Sequence, residues 1–190
     1  MGGHAPKVLF SKSKNVMKVI GLFLCCCMFM TVFAQKEEVL KAGMTSPDFK
    51  YKDVNGKTVS LKDLRGKYVY IDVWATWCGG CVEGLPYFMA LRDQYKDQKD
   101  LVLLTISDDG IEAKSRWLKF LKEKKYSGKV PHLIINKEKD NFTKDYCITG
   151  IPRYILIDKE GKIVNAWHIA AKHELFSWAF NMELENMNRK

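Results

Sequence analysis

Hydrophobic and polar positions along the chain predict strands and helices in alternation. Residues 68–75 and 101–107 are continuous apolar runs with the β-branched and aromatic content of strands that are buried on both faces. Between them, from position 78 to about 96, apolar residues recur at helical spacing. After the polar break that follows the second run, another amphipathic helix is predicted, with its apolar face formed by Trp117, Phe120 and Leu121.

The remaining pattern predicts two hairpins and two further helices. Asn55-Gly56 between the runs 49–54 and 58–61 is the strongest short hairpin signal. Residues 154–158 and 163–167 predict a second hairpin, and residues 137–146 and 172–187 predict helices. This order of elements predicts an α/β fold, with a central mixed sheet flanked by helices on both faces.

The first 34 residues have the pattern of an export signal. They carry four lysines and no acid, and residues 19–34 are apolar except for Thr31. Val32-Phe33-Ala34 before Gln35 fits a cleavage site with small residues. We therefore predict an exported protein with a signal peptide at 1–34 (and a true start near Met17), a linker at 35–46 and a folded domain at 47–188. An uncleaved N-terminal anchor is the alternative.

Charge and cysteine usage narrow the class of protein. The formal charge is +9, of which the first 34 residues hold four, so the rest carries too little positive charge to indicate nucleic acid binding. Cys25, Cys26 and Cys27 would leave with the signal. Three cysteines remain, which is an odd number and not a disulfide framework: Cys78, Cys81 and Cys147.

Two of those cysteines form a Cys-x-x-Cys pair where a strand gives way to a helix. Cys78 falls at the predicted helix N-terminus, where unpaired N–H groups stabilise a thiolate. Cys81 lies one turn later on the same side, within disulfide reach. The first sulfur can attack a foreign disulfide and the second can resolve the mixed intermediate. Half of a zinc site is the alternative, but no second pair of ligands is close in sequence.

Asp72 is the one carboxylate in an apolar and aromatic strand, six residues before Cys78. Burial would raise its pKa. A buried acid beside a dithiol can carry the proton of the resolving cysteine. The alternative interpretation is that Asp72 faces solvent at the edge of the sheet.

Together these motifs resemble a known family. WATWCGGC preceded by YVYID, with a distant Ile151-Pro152, is similar to the thioredoxin superfamily. Upstream, residues 45–49, 55–57 and 61–67 resemble its TlpA/ResA-like branch, and the resemblance spans about residues 43–185. It implies an exported bacterial thiol–disulfide oxidoreductase of the periplasm or cell envelope, with a thioredoxin-like fold and an added N-terminal β-hairpin.

The resemblance also assigns residue roles. It implies that Cys78 is the attacking cysteine, that Cys81 is the resolving one, and that they form a redox-active disulfide. It implies that Pro152 is a cis-proline which, with Ile151, positions the substrate backbone, and that Asp72 is the proton-shuttling acid. Trp77 would project beside the sulfurs and contact substrates. The expected partners are protein disulfides or dithiols and an upstream redox protein, with no bound cofactor, no metal, no nucleic acid and no stable membrane insertion after signal cleavage.

Two departures from the family pattern limit how far it extends. Many relatives have proline where this chain has Gly80, and cytochrome-maturation members have a glutamate where it has Gly84, beside Glu83. Two other functions stay open. A peroxiredoxin-like peroxidase is one, although Ile71 and Ala75 replace the proline and threonine of its motif. A non-enzymatic copper or zinc carrier that uses the cysteine pair is the other.

Overall fold

The computed structural model describes residue 2 and residues 39–189, and its centre is a five-stranded sheet. Apart from residue 2, the predicted signal peptide, 1–34, lies outside the described residues. The strands are β1 (Lys50–Lys52), β2 (Thr58–Ser60), β3 (Tyr68–Trp74), β4 (Leu101–Ser107), β5 (His132–Ile134), β6 (Arg153–Ile157) and β7 (Ile163–His168). The helices are α1 (Gly79–Gln94), α2 (Lys114–Glu123), α3 (Phe142–Asp145) and α4 (Phe176–Asn188).

The sheet is mixed, as the sequence predicts. Its strand order is β5-β4-β3-β6-β7, in which β3, β4 and β5 run parallel while β6 and β7 are antiparallel to their neighbours. β1 and β2 form a separate antiparallel pair, the expected N-terminal hairpin. Gly56 in its turn has φ +82°, which suits a residue without a side chain.

Two hydrophobic clusters cover the two faces of the sheet. One face packs against α1, α2 and α4 in a cluster that includes Tyr70, Trp74 and Cys81. The other face packs against the hairpin and α3 in a cluster that includes Ile71 and Val73. Because side chains alternate along a strand and both faces are covered, every residue of β3 is buried, and the cysteine pair follows this strand.

Two predicted helices are shorter in the structure. The predicted helix 137–146 is helical only over Phe142–Asp145. The Asp140 carboxylate accepts hydrogen bonds from the N–H groups of Asn136 and Phe142, which replaces a helical ladder with a turn. The last helix begins at Phe176 rather than near position 172, because the His173 ring and carbonyl accept the N–H groups of Leu175 and Phe176.

The second half of the predicted linker contacts the domain. Leu40 is buried, Gly43 and Ile163 are joined by a backbone hydrogen bond, and Thr45 bridges Lys162. The hydroxyl groups of Ser46 and Tyr146 lie 2.9 Å apart in the interior. Ordered packing therefore extends upstream of position 47 to about Leu40.

A search of the described part of the chain finds no helix that is long and apolar enough to cross a membrane.

Candidate active site

The two cysteines of the motif are joined at the start of α1. Cys78 is the N-cap residue and Cys81 lies in the first turn, with their Cα atoms 5.2 Å apart and their sulfurs in a disulfide. The Cys81 N–H donates to Cys78 Sγ over 3.2 Å. This is the expected position at a helix N-terminus, where the helix dipole and free N–H groups favour a negatively charged sulfur.

The two sulfurs differ in exposure. Cys81 is fully buried, whereas Cys78 is partly exposed. A dissolved partner can therefore reach Cys78 first. Trp77, immediately before it, is 61% exposed.

The loop before β6 faces the disulfide from the other side. The Ile151–Pro152 peptide bond is cis, and the Ile151 carbonyl oxygen lies 3.7 Å from Cys78 Sγ. Pro152 Cδ lies 4.0 Å from the point where a Cβ of Gly80 would stand. The structure thus brings Ile151 and Pro152 to the cysteine pair, although they are more than seventy residues away in sequence.

Asp72 is buried in the middle of β3 rather than at a solvent-facing edge. Its exposed fraction is 0%, and neither carboxylate oxygen has a hydrogen-bond partner among the described residues. By the alternation of β3 it faces the same side as Tyr70 and Trp74, which share a cluster with Cys81. Burial raises the pKa of Asp72 well above its usual value, so the side chain is a neutral acid over a wider pH range than an exposed aspartate.

A second buried carboxylate, Asp109, lies in the polar break after the second apolar run and holds the loop before Cys78. Asp109 Oδ2 accepts the Thr76 N–H at 2.8 Å and the Ser107 hydroxyl at 2.7 Å. Its Oδ1 accepts the Thr76 hydroxyl and Arg116 Nη2, the latter at 3.1 Å. Burial alone would raise the pKa of Asp109, but the hydrogen bonds from Thr76, Ser107 and Arg116 outweigh it and hold the pKa below its usual value.

A signal for Asp109 was present in the sequence. The carboxyl ends of neighbouring parallel strands meet at one edge of a sheet. Asp109 follows β4 as Thr76 follows β3, and β3 and β4 are parallel neighbours. An acid just after one buried strand is therefore placed beside the loop that leads to Cys78.

Glu83 and Gly84, where the sequence departs from the cytochrome-maturation pattern, lie in the first turns of α1. Glu83 is exposed, and its Oε2 lies 2.7 Å from Lys172 Nζ; the hydrogen bond and charge of Lys172 lower the Glu83 pKa. A Cβ at Gly84 would lie 3.0 Å from the Tyr154 hydroxyl oxygen. The space beside Gly84 is thus taken by Tyr154, which pairs in register with Asp72.

The other polar candidates lie apart from the cysteine pair or are already engaged. Cys147 is a free, half-buried cysteine whose carbonyl accepts Arg153 Nη2 at 3.1 Å. His132 is buried between Thr105 and the Tyr126 carbonyl, and burial lowers its pKa to about 4. Within residues 39–189, no three His, Cys, Asp or Glu side chains lie together as a metal ion would require.

Comparison with known proteins identifies the family. The Redoxin family model matches residues 41–172. A thiol–disulfide oxidoreductase ResA of Bacillus cereus is 33% identical over 162 residues, which cover 80% of this chain and 87% of the relative. ResA of Bacillus subtilis (strain 168) is 33% identical over 148 residues, covering 75% and 78% respectively.

A solved structure agrees with this assignment. The thioredoxin domain of a thiol–disulfide oxidoreductase from Bacteroides vulgatus superposes with a TM-score of 0.65 at 30% identity, covering 75% of this chain and 98% of that one. The family match, over residues 41–172, spans the sheet, α1 and the cysteine pair. The chain therefore belongs to the Redoxin family, as a ResA-like thiol–disulfide oxidoreductase with a thioredoxin-like fold.

Proposed function

We propose that this enzyme is exported and that it reduces or exchanges disulfides of polypeptides in the bacterial periplasm or cell envelope. The single observation that carries the proposal is the pairing of a partly exposed N-cap Cys78 with a fully buried Cys81. An exposed sulfur that can meet a large substrate, next to a protected sulfur that can only react within the protein, is the arrangement that a two-step exchange needs.

In the first step, the Cys78 thiolate of the reduced enzyme attacks one sulfur of the substrate disulfide. A Cys78–substrate disulfide forms and the other substrate sulfur leaves as a thiolate. The N–H groups at the start of α1 stabilise the attacking thiolate before the bond forms. In this proposal Trp77, Ile151 and Pro152 contact the substrate chain, because exposed Trp77 directly precedes Cys78 and the carbonyl oxygen of Ile151, next to Pro152, lies 3.7 Å from the Cys78 sulfur.

In the second step, Cys81 attacks Cys78 Sγ, the substrate leaves as a dithiol, and the Cys78–Cys81 disulfide remains. Cys81 must lose its proton in an enclosed environment. Asp72 is an acid on the same face of the sheet, and in the molecules in which it is ionised its raised pKa makes the carboxylate a stronger base than an exposed one. We assign it the role of accepting that proton, directly or through water. An upstream redox protein would then restore the dithiol.

Export rests on the composition of residues 1–34, with the basic segment, apolar run and small residues described above. The proposed working domain is residues 47–188, against which residues 40–46 pack. N-terminal sequencing of the protein recovered from the cell envelope should begin at Gln35; a chain that keeps residues 17–34 would instead indicate an anchor.

The reaction is tested by trapping. The variant Cys81→Ser should still attack substrates but should not release them, so mixed disulfides through Cys78 should accumulate in the cell envelope. Cys78→Ser is the matched control and should trap at least about tenfold less, because Cys81 is buried. The adducts are counted by non-reducing electrophoresis and identified by mass spectrometry. Equal trapping by the two variants would overturn the assignment of attacking and resolving sulfur.

A further inference from the structure

A surface groove lies beside the active site, between Trp77 and α2. Its volume is about 410 Å³, and it is lined by Thr76, Trp77, Arg116, Lys119, Phe120 and Glu123. We propose that this Trp77 groove binds an acidic segment of the substrate polypeptide that flanks the disulfide to be reduced. The proposal rests on the proposed function, because it requires that the substrate is a polypeptide.

The location of the groove fits a site for the chain next to the reacting sulfur. Two of its lining residues, Thr76 and Trp77, directly precede Cys78. Trp77 is 61% exposed although it is a large aromatic residue, and Phe120 on α2 is the other aromatic wall. A bulky apolar side chain beside the substrate cysteine could bury itself between these two rings.

The charge of the groove selects the kind of segment. Two cations, Arg116 and Lys119, line the groove, whereas Glu123 is the one carboxylate among its lining residues. The stretch 112–125 around α2 contains six cations and two carboxylates, whereas residues 35–190 as a whole have a formal charge of only +5. Most of the domain's excess positive charge is therefore concentrated on the helix that borders the groove, which favours an acidic partner.

The carboxylates close to those cations do not cancel the preference. Glu123 Oε1 is 3.9 Å from Lys119 Nζ, and both side chains are well exposed, so the pair is weak. The side chain of Asp109 is wholly buried beneath Arg116, and its oxygens are already shared with Thr76 and Ser107. A ligand in the groove would meet the cations before it met Asp109.

Arg116 is also held in position for an incoming carboxylate. Its Nη2 donates to Asp109 and its Nε donates to the Thr76 hydroxyl, each over 3.1 Å. Its Nη1 donates to none of the residues that the structure describes, and 61% of the side chain remains exposed. A guanidinium that is already fixed loses little conformational freedom when it binds a carboxylate.

The test uses the pre-reduced full domain and peptides that each contain one intramolecular disulfide and a phenylalanine. The peptides differ only in having Asp, Ser or Lys beside the first cysteine. In a single turnover the enzyme dithiol gives two electrons and two protons to the peptide, which becomes a dithiol as the Cys78–Cys81 disulfide forms. Rates are measured by acid quench and chromatography, and each is divided by the rate of the same peptide with dithiothreitol to remove intrinsic reactivity.

We expect the Asp peptide to react at least about fivefold faster than the Lys peptide, with the Ser peptide between them, and this preference should shrink in high salt. Lys119→Glu should reduce the preference by roughly threefold or more, as expected for a surface charge pair. Lys122→Glu is the matched control, since it makes the same charge change on α2 but does not line the groove, and it should leave the preference nearly unchanged.

Equal normalised rates for the three peptides would overturn the groove proposal and leave the proposed function standing. The groove proposal would also be overturned if Lys119→Glu and Lys122→Glu changed the preference equally. The general positive charge of α2, and not the groove, would then cause the preference. Bis(2-hydroxyethyl) disulfide, a small neutral disulfide, separates the remaining case. If it is reduced while none of the peptides is, the proposed polypeptide substrate is wrong, and the groove proposal falls with it.

Discussion

Asp72 and Asp109 are both buried aspartates, yet their surroundings shift their pKa values in opposite directions. Asp72 has no hydrogen-bond partner among the described residues, so burial dominates and its pKa is raised. Asp109 accepts four hydrogen bonds, which keep its pKa low despite its burial. Opposite pH dependences of stability follow from this difference.

For Asp72→Asn, we expect a more stable protein at neutral pH. The folded protein holds a proton on Asp72 that the unfolded chain releases near pH 3.8, so the wild type loses stability as the pH rises from there towards the folded pKa. The loss is about 1.4 kcal/mol per pH unit in that window. Urea unfolding between pH 4 and pH 8 should show the gap between variant and wild type widening with pH.

The same variant separates a structural from a chemical role. If Asp72 accepts the proton of Cys81, Asp72→Asn should leave the attack on a disulfide unchanged and slow the release of the mixed disulfide by roughly 10-fold or more. Rapid-quench measurements follow the two steps separately. A gain in stability with both rates unchanged would mean that Asp72 takes no part in the chemistry.

Asp109→Asn should behave in the opposite way. Its carboxylate contributes stability that is fully present above the unfolded pKa and is lost as the pH falls through the lower folded pKa. We expect a loss of roughly 1.5–3 kcal/mol in the free energy of unfolding at pH 7, the usual range for hydrogen bonds to a charged group. The loss should diminish at acid pH, where the wild-type carboxylate is also neutral.

The neighbouring Asp108 provides a control for Asp109. It is paired with Lys137 at 3.4 Å and remains partly exposed, so Asp108→Asn should cost no more than about 1 kcal/mol. Comparable losses in the two variants at pH 7 would show that the hydrogen bonds to Thr76, Ser107 and Arg116 add nothing beyond an ordinary surface charge.

At the scale of elements, α1 contains three glycines, of which Gly80 and Gly84 have very different surroundings. A Cβ at Gly80 would have its closest contact at 4.0 Å, whereas a Cβ at Gly84 would meet the Tyr154 hydroxyl at 3.0 Å. Glycine costs about 0.5–1 kcal/mol relative to alanine inside a helix. Gly80→Ala should therefore raise the free energy of unfolding by roughly that amount, and Gly84→Ala should give a smaller gain or a loss. Equal gains in denaturant unfolding would contradict the close contact.

The elements that depend on local pattern were predictable from the sequence. The apolar runs gave β3 and β4, Asn55-Gly56 gave the hairpin, and helical spacing after Cys78 gave α1. The ends of α3 and α4 were not, because side chains there take backbone hydrogen bonds that a helix would need. Asp140 does so before α3 and His173 before α4.

The site was predictable only where its residues are adjacent or match a motif. Cys78 and Cys81 follow from spacing, and the burial of Asp72 follows from the apolar strand around it. The contacts of Asp109 with Thr76 and of Tyr154 with Gly84 join residues that are 33 and 70 positions apart. Such pairs depend on which strands become neighbours and in what register, and the local pattern of hydrophobic and polar residues does not specify either.

For the molecule as a whole, the fold class, mixed sheet and added hairpin were predicted correctly. Residues 43–46, which the sequence analysis assigns to a linker, are held by backbone hydrogen bonds to other segments. Ser46 donates its N–H to Gly161, and Ile163 donates its N–H to Met44. Backbone pairing does not depend on hydrophobic side chains, so a polar stretch can be fixed without showing an apolar pattern.

Residues 43–46 attach to the turn after β6, so the N-terminal segment and Cys78 lie at opposite ends of this strand. β6 begins beside Val73, next to the cysteine loop, and ends beside Val69, four residue steps or roughly 13 Å along the sheet. Residues 43–46 are therefore attached near the end of β6 that is farther from Cys78. Immobilising the protein through its N-terminal side, on a bead, an electrode or a fused carrier, would leave the reactive sulfur pointing away from the support and open to large molecules in solution.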